Sequence, residues 1–277
     1  MWAAVLASAL LGLMSPEPVL AAPVRTPGIH AAHALVYDEA EARVVYERDA
    51  DRQVPIASIT KLMTAMVVLD ARLDPAETIV IQEDDKSTVK PARSRLAVGS
   101  AASRGDVLRL ALMASDNRAA LSLARTYPGG TGAAVAAMNA KATSLGLGST
   151  RFADPSGLDP GNVSTARDLV MVVRAALKYP AIQEATTLRE FALPTSRGVV
   201  RFGNTDGLLR KRDWHIELSK TGYISEAGRC LVLHAHIAGR AMTLVFLGAQ
   251  GKYSAIADAV RVRQWLESGA RAVKPAS

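Results

Sequence analysis

The stretch "ASITKLMTAMVVLDA", residues 57–71, decides how the middle of this chain folds and raises a chemical question. Its apolar residues cover nearly every face of a predicted helix, which is typical of a helix buried on most sides. Ser58 and Lys61 are the polar pair at the start of that helix. Because burial disfavours a charged ammonium group, a lysine at this position needs a chemical reason.

The spacing of the pair supplies one. Ser58 and Lys61 are three residues apart, so their side chains lie on the same helix face. A serine hydroxyl is a weak nucleophile until a base takes its proton, and a lysine can be that base only when it is neutral. Burial and a second cation nearby both lower a lysine pKa. The pair therefore predicts a serine nucleophile with a lysine general base.

The same Ser-x-x-Lys spacing occurs a second time, at Ser87 and Lys90, in the polar stretch "DDKSTVKPAR". Pro91 disfavours helical backbone at Lys90, and nothing in this stretch would remove water from the amine. We interpret this second match as a coincidence on a solvated loop. A pattern this short is weak evidence unless its position and burial support it.

The stretch "ASDN" places Ser115 and Asn117 between two predicted helices, where a hydroxyl and an amide can face a pocket. Taken alone, this pattern fits a helix cap equally well, since Ser, Asp and Asn are the preferred capping residues.

The stretch "SKTGY" lies at the end of a predicted strand and has a corresponding interpretation. Lys220 would be the second cation and Thr221 would supply a hydroxyl, while Gly222 would leave room for a peptide along the strand edge. The alternative is an ordinary strand end.

The order of the predicted elements indicates the fold class. A β-hairpin around Asp38 to Glu41 comes first, and helical patterns follow, the last of them ended by Pro180. Strands return from Arg189, beginning with "REFALP", and "SAIADAVRVRQWLE" is an amphipathic helix. This order predicts an α/β protein of the α+β type, with an antiparallel sheet from both chain ends packed on a helical insertion. Residues 22–277 are predicted to form a single domain, with sheet regions at about 30–57 and 188–267 and a helical region at about 58–187.

Residues 1–21 are predicted to be a signal peptide, which makes the protein exported and periplasmic. Their apolar run is too short to span a bilayer and ends in small residues, although no Lys or Arg occurs before Arg25. An uncleaved apolar anchor or a different start site is the alternative. We expect no integral membrane segment in the mature chain.

The mature chain is basic. Loss of residues 1–21 removes one acid, Glu17, and no base, which raises the formal charge from +7 to +8. A nucleic-acid partner is not expected, because aromatic residues make up only 5% of the chain and no nucleic-acid motif occurs. An anionic cell wall fits this charge better. Cys230, the only cysteine, lies in an apolar strand pattern and is predicted to be a buried structural thiol.

Taken together and in this order, Ser-x-x-Lys, Ser-Asp-Asn and Lys-Thr-Gly are typical of penicillin-binding proteins and class A β-lactamases. The sequence resembles the low-molecular-mass penicillin-binding proteins, which are serine DD-peptidases of bacterial cell walls. Within them it is most similar to the D-alanyl-D-alanine endopeptidases, through "ASITKLMTAMVVLD", "NVSTARDLV", "DWHIELSKTGYISEAGRCLVL" and "GKYSAIADAVRVRQWLE". The likeness runs from about Ala32 to Glu267 and implies a β-lactamase/DD-peptidase-like fold.

The resemblance implies a catalytic role for four residues. Ser58 would attack a D-alanyl carbonyl to form an acyl-enzyme, with Lys61 as the general base. Ser115 would relay the proton to the leaving amine, and Asn117 would hold the substrate amide. No metal or other cofactor would be required.

The resemblance also implies a substrate-binding strand. Lys220 would keep Lys61 neutral and attract the negative charge of the substrate, and Thr221 would contact the substrate carboxylate beside Gly222. The oxyanion would lie between the backbone N–H groups of Ser58 and Tyr223. The implied partners are peptidoglycan stem peptides, with β-lactam antibiotics as covalent inhibitors.

The predicted function is that of a serine DD-endopeptidase that cuts D-alanyl cross-links, with a D-alanyl-D-alanine carboxypeptidase as the alternative. The stretch "DPSGLDPGNVST" lacks the glutamate that drives deacylation in class A β-lactamases, so a β-lactam should remain bound. The chain ends soon after its last predicted helix, and we expect neither a C-terminal β domain nor a membrane-binding tail.

Two further alternatives stay open. The first is a zinc peptidase that uses His234 and His236, which share one face of a predicted strand. The second is a non-catalytic module that binds the cell wall or β-lactams on the same fold.

Overall fold

The computed structural model describes residues 26–196 and 198–269, so the predicted signal peptide lies outside the described residues. Its strands in chain order are β1 (His33–Asp38), β2 (Arg43–Arg48), β3 (Val54–Pro55), β4 (Thr78–Val80), β5 (Ala101–Ser103), β6 (Val163–Ser164), β7 (Glu190–Thr195), β8 (Gly198–Gly203), β9 (His215–Ile224), β10 (Gly228–Ile237) and β11 (Arg240–Ala249). Its helices are α1 (Lys61–Asp70), α2 (Arg104–Met113), α3 (Asn117–Arg125), α4 (Gly130–Ser144), α5 (Ala166–Ala176), α6 (Pro180–Thr187) and α7 (Ser254–Glu267).

The main sheet has five antiparallel strands in the order β2-β1-β11-β10-β9. The first hairpin therefore pairs with a strand from the far end of the chain, and the helical region lies between them in sequence. The turn between β10 and β11 has positive φ at Ala238 and Gly239, the conformation that a tight hairpin turn requires. This arrangement confirms the predicted α+β fold class.

Two apolar layers cover the sheet. On β10, Leu231 and Leu233 pack with α7, whereas the intervening Val232 packs with the core formed by α1 and α5. This alternation is the period of two expected for a strand that is buried on both faces. The strand β9 lies at the edge of the sheet and contacts the turn that precedes α1.

The helix α1 is buried along most of its length. Every residue from Lys61 to Val68 is buried, and α1 contacts α2, α3, α4 and α5. The prediction of a helix buried on most sides is therefore confirmed. Its start differs from the prediction, because Ser58 lies in a 3₁₀ turn (Ala57–Thr60) and α1 begins at Lys61. A 3₁₀ turn aligns side chains three residues apart, so Ser58 and Lys61 still share a face.

Two further boundaries differ from the sequence prediction. Pro180 begins α6 rather than only ending the helix before it, because a proline at the first helical position loses no hydrogen bond. The predicted strand "REFALP" forms β7, which pairs with β8 in a separate two-stranded sheet instead of joining the main one. None of the helices in the described ranges has the length and apolar character needed to cross a bilayer.

A buried carboxylate ties the last helix to the start of the sheet. Asp258 of α7 is fully buried and accepts hydrogen bonds from the backbone N–H groups of His30 (2.9 Å) and Ala31 (2.7 Å). It also pairs with Arg261 one turn later, at 2.8 Å. The carboxylate therefore satisfies two backbone donors that otherwise have no partner once α7 covers them.

We expect Asp258→Ala to lower the free energy of unfolding by about 2 kcal/mol or more, because two backbone donors lose their acceptor. Denaturant unfolding measures the change. The control is Asp84→Ala, an exposed acid, which should leave stability within about 0.5 kcal/mol of the unsubstituted protein. Equal stability of the two variants would contradict this account of Asp258.

Candidate active site

The amine of Lys61 is the centre of a buried hydrogen-bond cluster. Its Nζ lies 2.8 Å from Ser58 Oγ, 2.7 Å from Asn117 Oδ1 and 2.6 Å from the carbonyl oxygen of Ser156. The amide and carbonyl oxygens can only accept hydrogen bonds, whereas the hydroxyl can donate or accept. In a neutral Lys61 the two N–H groups therefore serve those two oxygens, and the lone pair faces the hydroxyl of Ser58.

Burial also favours the neutral amine. Lys61 is 1% exposed, and desolvation lowers its pKa to about 7, although the carboxylates of Asp154 and Asp116 act in the opposite direction. An ordinary lysine is almost fully charged near neutral pH. Near pH 7 a substantial share of Lys61 is thus available as a base.

The second predicted lysine is buried on β9. Lys220 Nζ donates to Ser115 Oγ (2.8 Å) and to the carbonyl oxygen of Thr221 (2.9 Å). Burial, and after it the positive charge of Lys61, holds the pKa of Lys220 well below its ordinary value. The pKa of Lys61 itself is lowered by its burial, so the expectation that Lys220 keeps Lys61 neutral stays a prediction. The hydroxyl of Thr221 lies 2.6 Å from that of Thr205.

The turn between α2 and α3 serves both interpretations of the "ASDN" stretch. Asp116 is the helix cap, since its Oδ1 accepts from the backbone N–H of Ala119 at 3.0 Å. Ser115 has a left-handed backbone (φ +54) and directs its hydroxyl to Lys220, while Asn117 faces Lys61. Left-handed backbone is costly for a residue other than glycine and is concentrated at functional sites.

The structure gives Gly222 a different reason from the predicted one. A Cβ built on Gly222 would lie 3.0 Å from the backbone nitrogen of Ser58 and 3.1 Å from the carbonyl oxygen of Ile56. The side of Gly222 on which a side chain would stand is thus occupied by the turn that carries Ser58. That Gly222 also leaves room for a peptide along the strand edge stays a prediction. Its absent side chain lets β9 approach the nucleophile turn.

Tyr223 is the last of the predicted site residues. Its side chain is 54% exposed, and the guanidinium of Arg229 on β10 lies 4.0 Å from the centre of its ring. The backbone of Tyr223 follows Gly222 along the strand edge beside Ser58. Its part in an oxyanion hole stays a prediction.

The chain matches a known protein family. A family model described as D-alanyl-D-alanine carboxypeptidase matches residues 21–251. The chain belongs to the D-alanyl-D-alanine carboxypeptidase family. This membership agrees with the predicted relationship to the low-molecular-mass penicillin-binding proteins and makes the chain a peptidase of the serine class.

Curated members of this family cover most of the chain. A D-alanyl-D-alanine endopeptidase of Pseudomonas aeruginosa is 46% identical, over 95% of this chain and 85% of its own length. One of Escherichia coli is also 46% identical, over 88% of this chain and 79% of its own. The crystal structure of a Streptomyces DD-transpeptidase superposes with a TM-score of 0.80 at 27% identity, covering 87% of this chain and 98% of that one.

The sequence did not predict that the loop "DPSGLDPGN", residues 154–162, is part of the lysine cluster. The only prediction made from this stretch was the lack of a glutamate. In the structure its Ser156 carbonyl oxygen accepts a hydrogen bond from Lys61. Asp154 organises it by accepting from the backbone N–H of Gly157 (2.7 Å) and from the side chains of Ser156 and Asn162. The turn-forming residues were the only signal in the sequence.

The loop docks directly on the nucleophile turn. The carbonyl oxygen of Asn162 accepts from the N–H of Ile56 at 3.0 Å. Gly157 has φ +83, and a Cβ there would lie 2.0 Å from the carbonyl oxygen of Ala57. Only glycine fits between the two segments at this position.

The structure leaves the remaining candidates outside the cluster. Ser87 Oγ accepts from the backbone N–H groups of Val89 (3.2 Å) and Lys90 (3.3 Å), and Lys90 pairs with Glu226 on the surface, which confirms a solvated turn. His234 contacts Thr243 and His236 contacts Glu217, and their partners on β9, Leu218 and His215, precede Lys220 in that strand.

Cys230 is buried, as predicted. Burial raises the pKa of its thiol to about 12, so the reactive thiolate does not form near neutral pH.

We expect Gly157→Ala to destabilise the protein by at least about 2 kcal/mol and to slow acylation, because the methyl group collides with the turn that carries the nucleophile. Thermal unfolding and penicillin labelling measure the two effects. Gly148→Ala is the matched control, since a Cβ there has nothing within 4 Å and the backbone φ is not positive. If Gly157→Ala behaved like the control, the loop would not constrain the turn.

Proposed function

We propose that this chain is a serine DD-endopeptidase that hydrolyses D-alanyl cross-links of peptidoglycan through an acyl-enzyme on Ser58. The observation that carries the proposal is the amine of Lys61, which is buried, has a pKa of about 7, and has Ser58 as its one proton-donating partner in the cluster. The two relatives at 46% identity, both named endopeptidases, support the choice of substrate.

Acylation begins with proton transfer from the Ser58 hydroxyl to the neutral amine of Lys61 while Oγ attacks the D-alanyl carbonyl carbon. The new Oγ–C bond leaves a negative charge on the carbonyl oxygen. Backbone N–H groups of Ser58 and Tyr223 stabilise that oxyanion, and one such donor contributes about 3 kcal/mol.

Collapse of this intermediate breaks the C–N bond and requires a proton on the departing amine. Ser115 supplies that proton, and the contact of its hydroxyl with Lys220 at 2.8 Å supports this role. The hydroxyl of Ser115 gives its proton to the departing amine and regains one from Lys61, which took it from Ser58. Water hydrolyses the ester, and Ser58 regains its proton.

The groups assigned to substrate binding are those with a hydrogen-bond donor available for the substrate. Asn117 accepts from Lys61 through Oδ1, so its amide N–H₂ remains available to hold the substrate amide. Lys220 and Thr221 supply an amine and a hydroxyl to the substrate carboxylate, beside the backbone edge at Gly222 and Tyr223. The negative charge of that carboxylate favours the charged form of the amine when the substrate binds.

Carboxypeptidase activity is the second candidate, because the family model carries that description. It differs only in the leaving group, a single D-alanine instead of a cross-linking side chain. We further propose an exported, periplasmic protein, on the basis of the predicted signal peptide at residues 1–21, and inhibition by β-lactams that acylate Ser58 and hydrolyse slowly.

The decisive experiment combines fluorescent penicillin labelling with a cleavage assay on cross-linked muropeptide dimers. Ser58→Ala should abolish labelling and lower dimer cleavage by at least about 1000-fold, because the nucleophile is lost. The matched control is Ser87→Ala, the serine of the second Ser-x-x-Lys pattern, which should retain both activities.

Conversion of dimers to monomers supports the endopeptidase, whereas release of free D-alanine without loss of dimers would make the protein a carboxypeptidase. Labelling that persists in Ser58→Ala would contradict the serine acyl-enzyme. Absence of labelling in every variant would favour a non-catalytic module.

The rate of penicillin labelling should rise with pH through about 7, because Lys61 is a base only in its neutral form and that form accumulates above its pKa. Labelling rates from about pH 5 to about pH 9 measure this profile. Lys61→Arg should eliminate labelling, since a guanidinium stays charged. Lys90→Arg is the control and should keep the wild-type profile, while a flat wild-type profile would exclude a neutral lysine base.

A further inference from the structure

A cluster of imidazoles and one carboxylate lies on the edge of the main sheet, at the start of β9. The pairing of β9 with β10 shifts by one residue here, since His234 faces Leu218 and the next residue, Ala235, faces Ile216. Glu217 is therefore the extra residue of a β-bulge. Bulges re-aim side chains, and this one turns Glu217 toward the histidines on the neighbouring strand.

The donor atoms of three of these side chains are close to one another. Glu217 Oε1 lies 3.1 Å from His236 Nε2 and 3.8 Å from His215 Nε2, and the two imidazole rings are 5.0 Å apart in an edge-to-face arrangement. All three ligand atoms fall within 4.8 Å of each other. Zinc bonds of about 2.0–2.1 Å in tetrahedral geometry place neighbouring ligand atoms about 3.3 Å apart. The distances from Glu217 Oε1 to the two imidazole nitrogens, 3.1 and 3.8 Å, lie on either side of this value.

The charge of the cluster is not balanced by lysine or arginine. Within residues 26–196 and 198–269, each ion-pair partner of Glu217 is a histidine: His215, His234 or His236. No lysine or arginine there pairs with the carboxylate. A divalent metal ion would balance that charge.

The buried neighbour His234 lies on the other side of the same carboxylate. Its Nε2 is 3.3 Å from the second oxygen of Glu217, and its Nδ1 is 2.9 Å from the hydroxyl of Thr243, which donates to Glu39 at 2.6 Å. Glu217 is therefore held from two sides, with its first oxygen directed at His215 and His236. Contacts of this kind orient metal ligands.

We propose that His215, Glu217 and His236 bind a zinc ion that joins β9 to β10 at the bulge, with water in the fourth position. Two imidazoles and a carboxylate form a common ligand set for this ion. The site is distinct from the lysine cluster, since its nearest member, Glu217, lies three residues before Lys220 on one strand, about 10 Å away. It stabilises the edge strand and takes no part in the acyl-transfer steps.

The test measures zinc binding to mature protein that carries no histidine tag, by equilibrium dialysis followed by quantification with a chelating indicator. The unsubstituted protein should bind one zinc ion per chain saturably. His236→Ala and His215→Ala should lose this binding, and His30→Ala, an exposed histidine ahead of β1, should retain it.

Thermal unfolding provides the second readout. Zinc should raise the melting temperature of the unsubstituted protein and of His30→Ala, and it should leave His215→Ala unchanged, because only a site in the folded state adds stability. Penicillin labelling of Ser58 should be equal in all of these proteins, which shows that each is folded. No saturable binding by the unsubstituted protein, or equal binding after loss of His215 or His236, would overturn the proposal.

Discussion

The structure depends on keeping one lysine amine dry and fully hydrogen-bonded inside the helical core. Lys61 begins a helix whose other buried side chains are apolar apart from Thr64, so its amine must find every partner at the start of the helix. Two oxygens and one hydroxyl provide them, from three separate segments of the chain. Each segment must therefore approach Lys61 closely, and this requirement accounts for much of the local backbone.

The close approach of these segments to Lys61 requires unusual backbone conformations. Ala57 and Ser115 both have positive φ, at +46 and +54, next to the nucleophile turn and at the interhelical turn. Gly157 and Gly222 have no room for a side chain because each lies against the Ala57–Ser58 peptide. The surrounding helices are well packed, and only such a scaffold can hold strained turns in place.

The sequence predicted the fold class and the members of the lysine cluster that carry recognisable chemistry. Ser58, Lys61 and Lys220 could be found because a buried amine beside a hydroxyl is rare and has a specific use. The order of strand and helix patterns was sufficient to predict a sheet built from both ends of the chain. These features can be predicted from sequence because they depend on residue type and on the periodicity of apolar residues within one element.

What could not be predicted depends on contacts between distant segments. The carbonyl of Ser156 is a backbone group, so residue type does not reveal it, and it reaches Lys61 across 95 positions in the chain. The close contact of Gly222 with the turn at Ala57 could not be predicted either, because the two are remote in sequence. The bulge at Glu217 shifts the strand register, and an alternation pattern read along one strand does not show a shift relative to its partner.

The surroundings of the two buried acids decide which group in the site acts as the base. Asp116 and Asp154 both influence the pKa of Lys61, and a carboxylate is in principle able to take a proton. The oxygens of Asp116 are occupied by a backbone N–H at 3.0 Å and a serine hydroxyl at 2.7 Å, and those of Asp154 by a backbone N–H, an amide and a hydroxyl. Both carboxylates are thus directed at these donors and hold backbone and neighbouring side chains in place. The lone pair of Lys61 is the acceptor that faces Ser58.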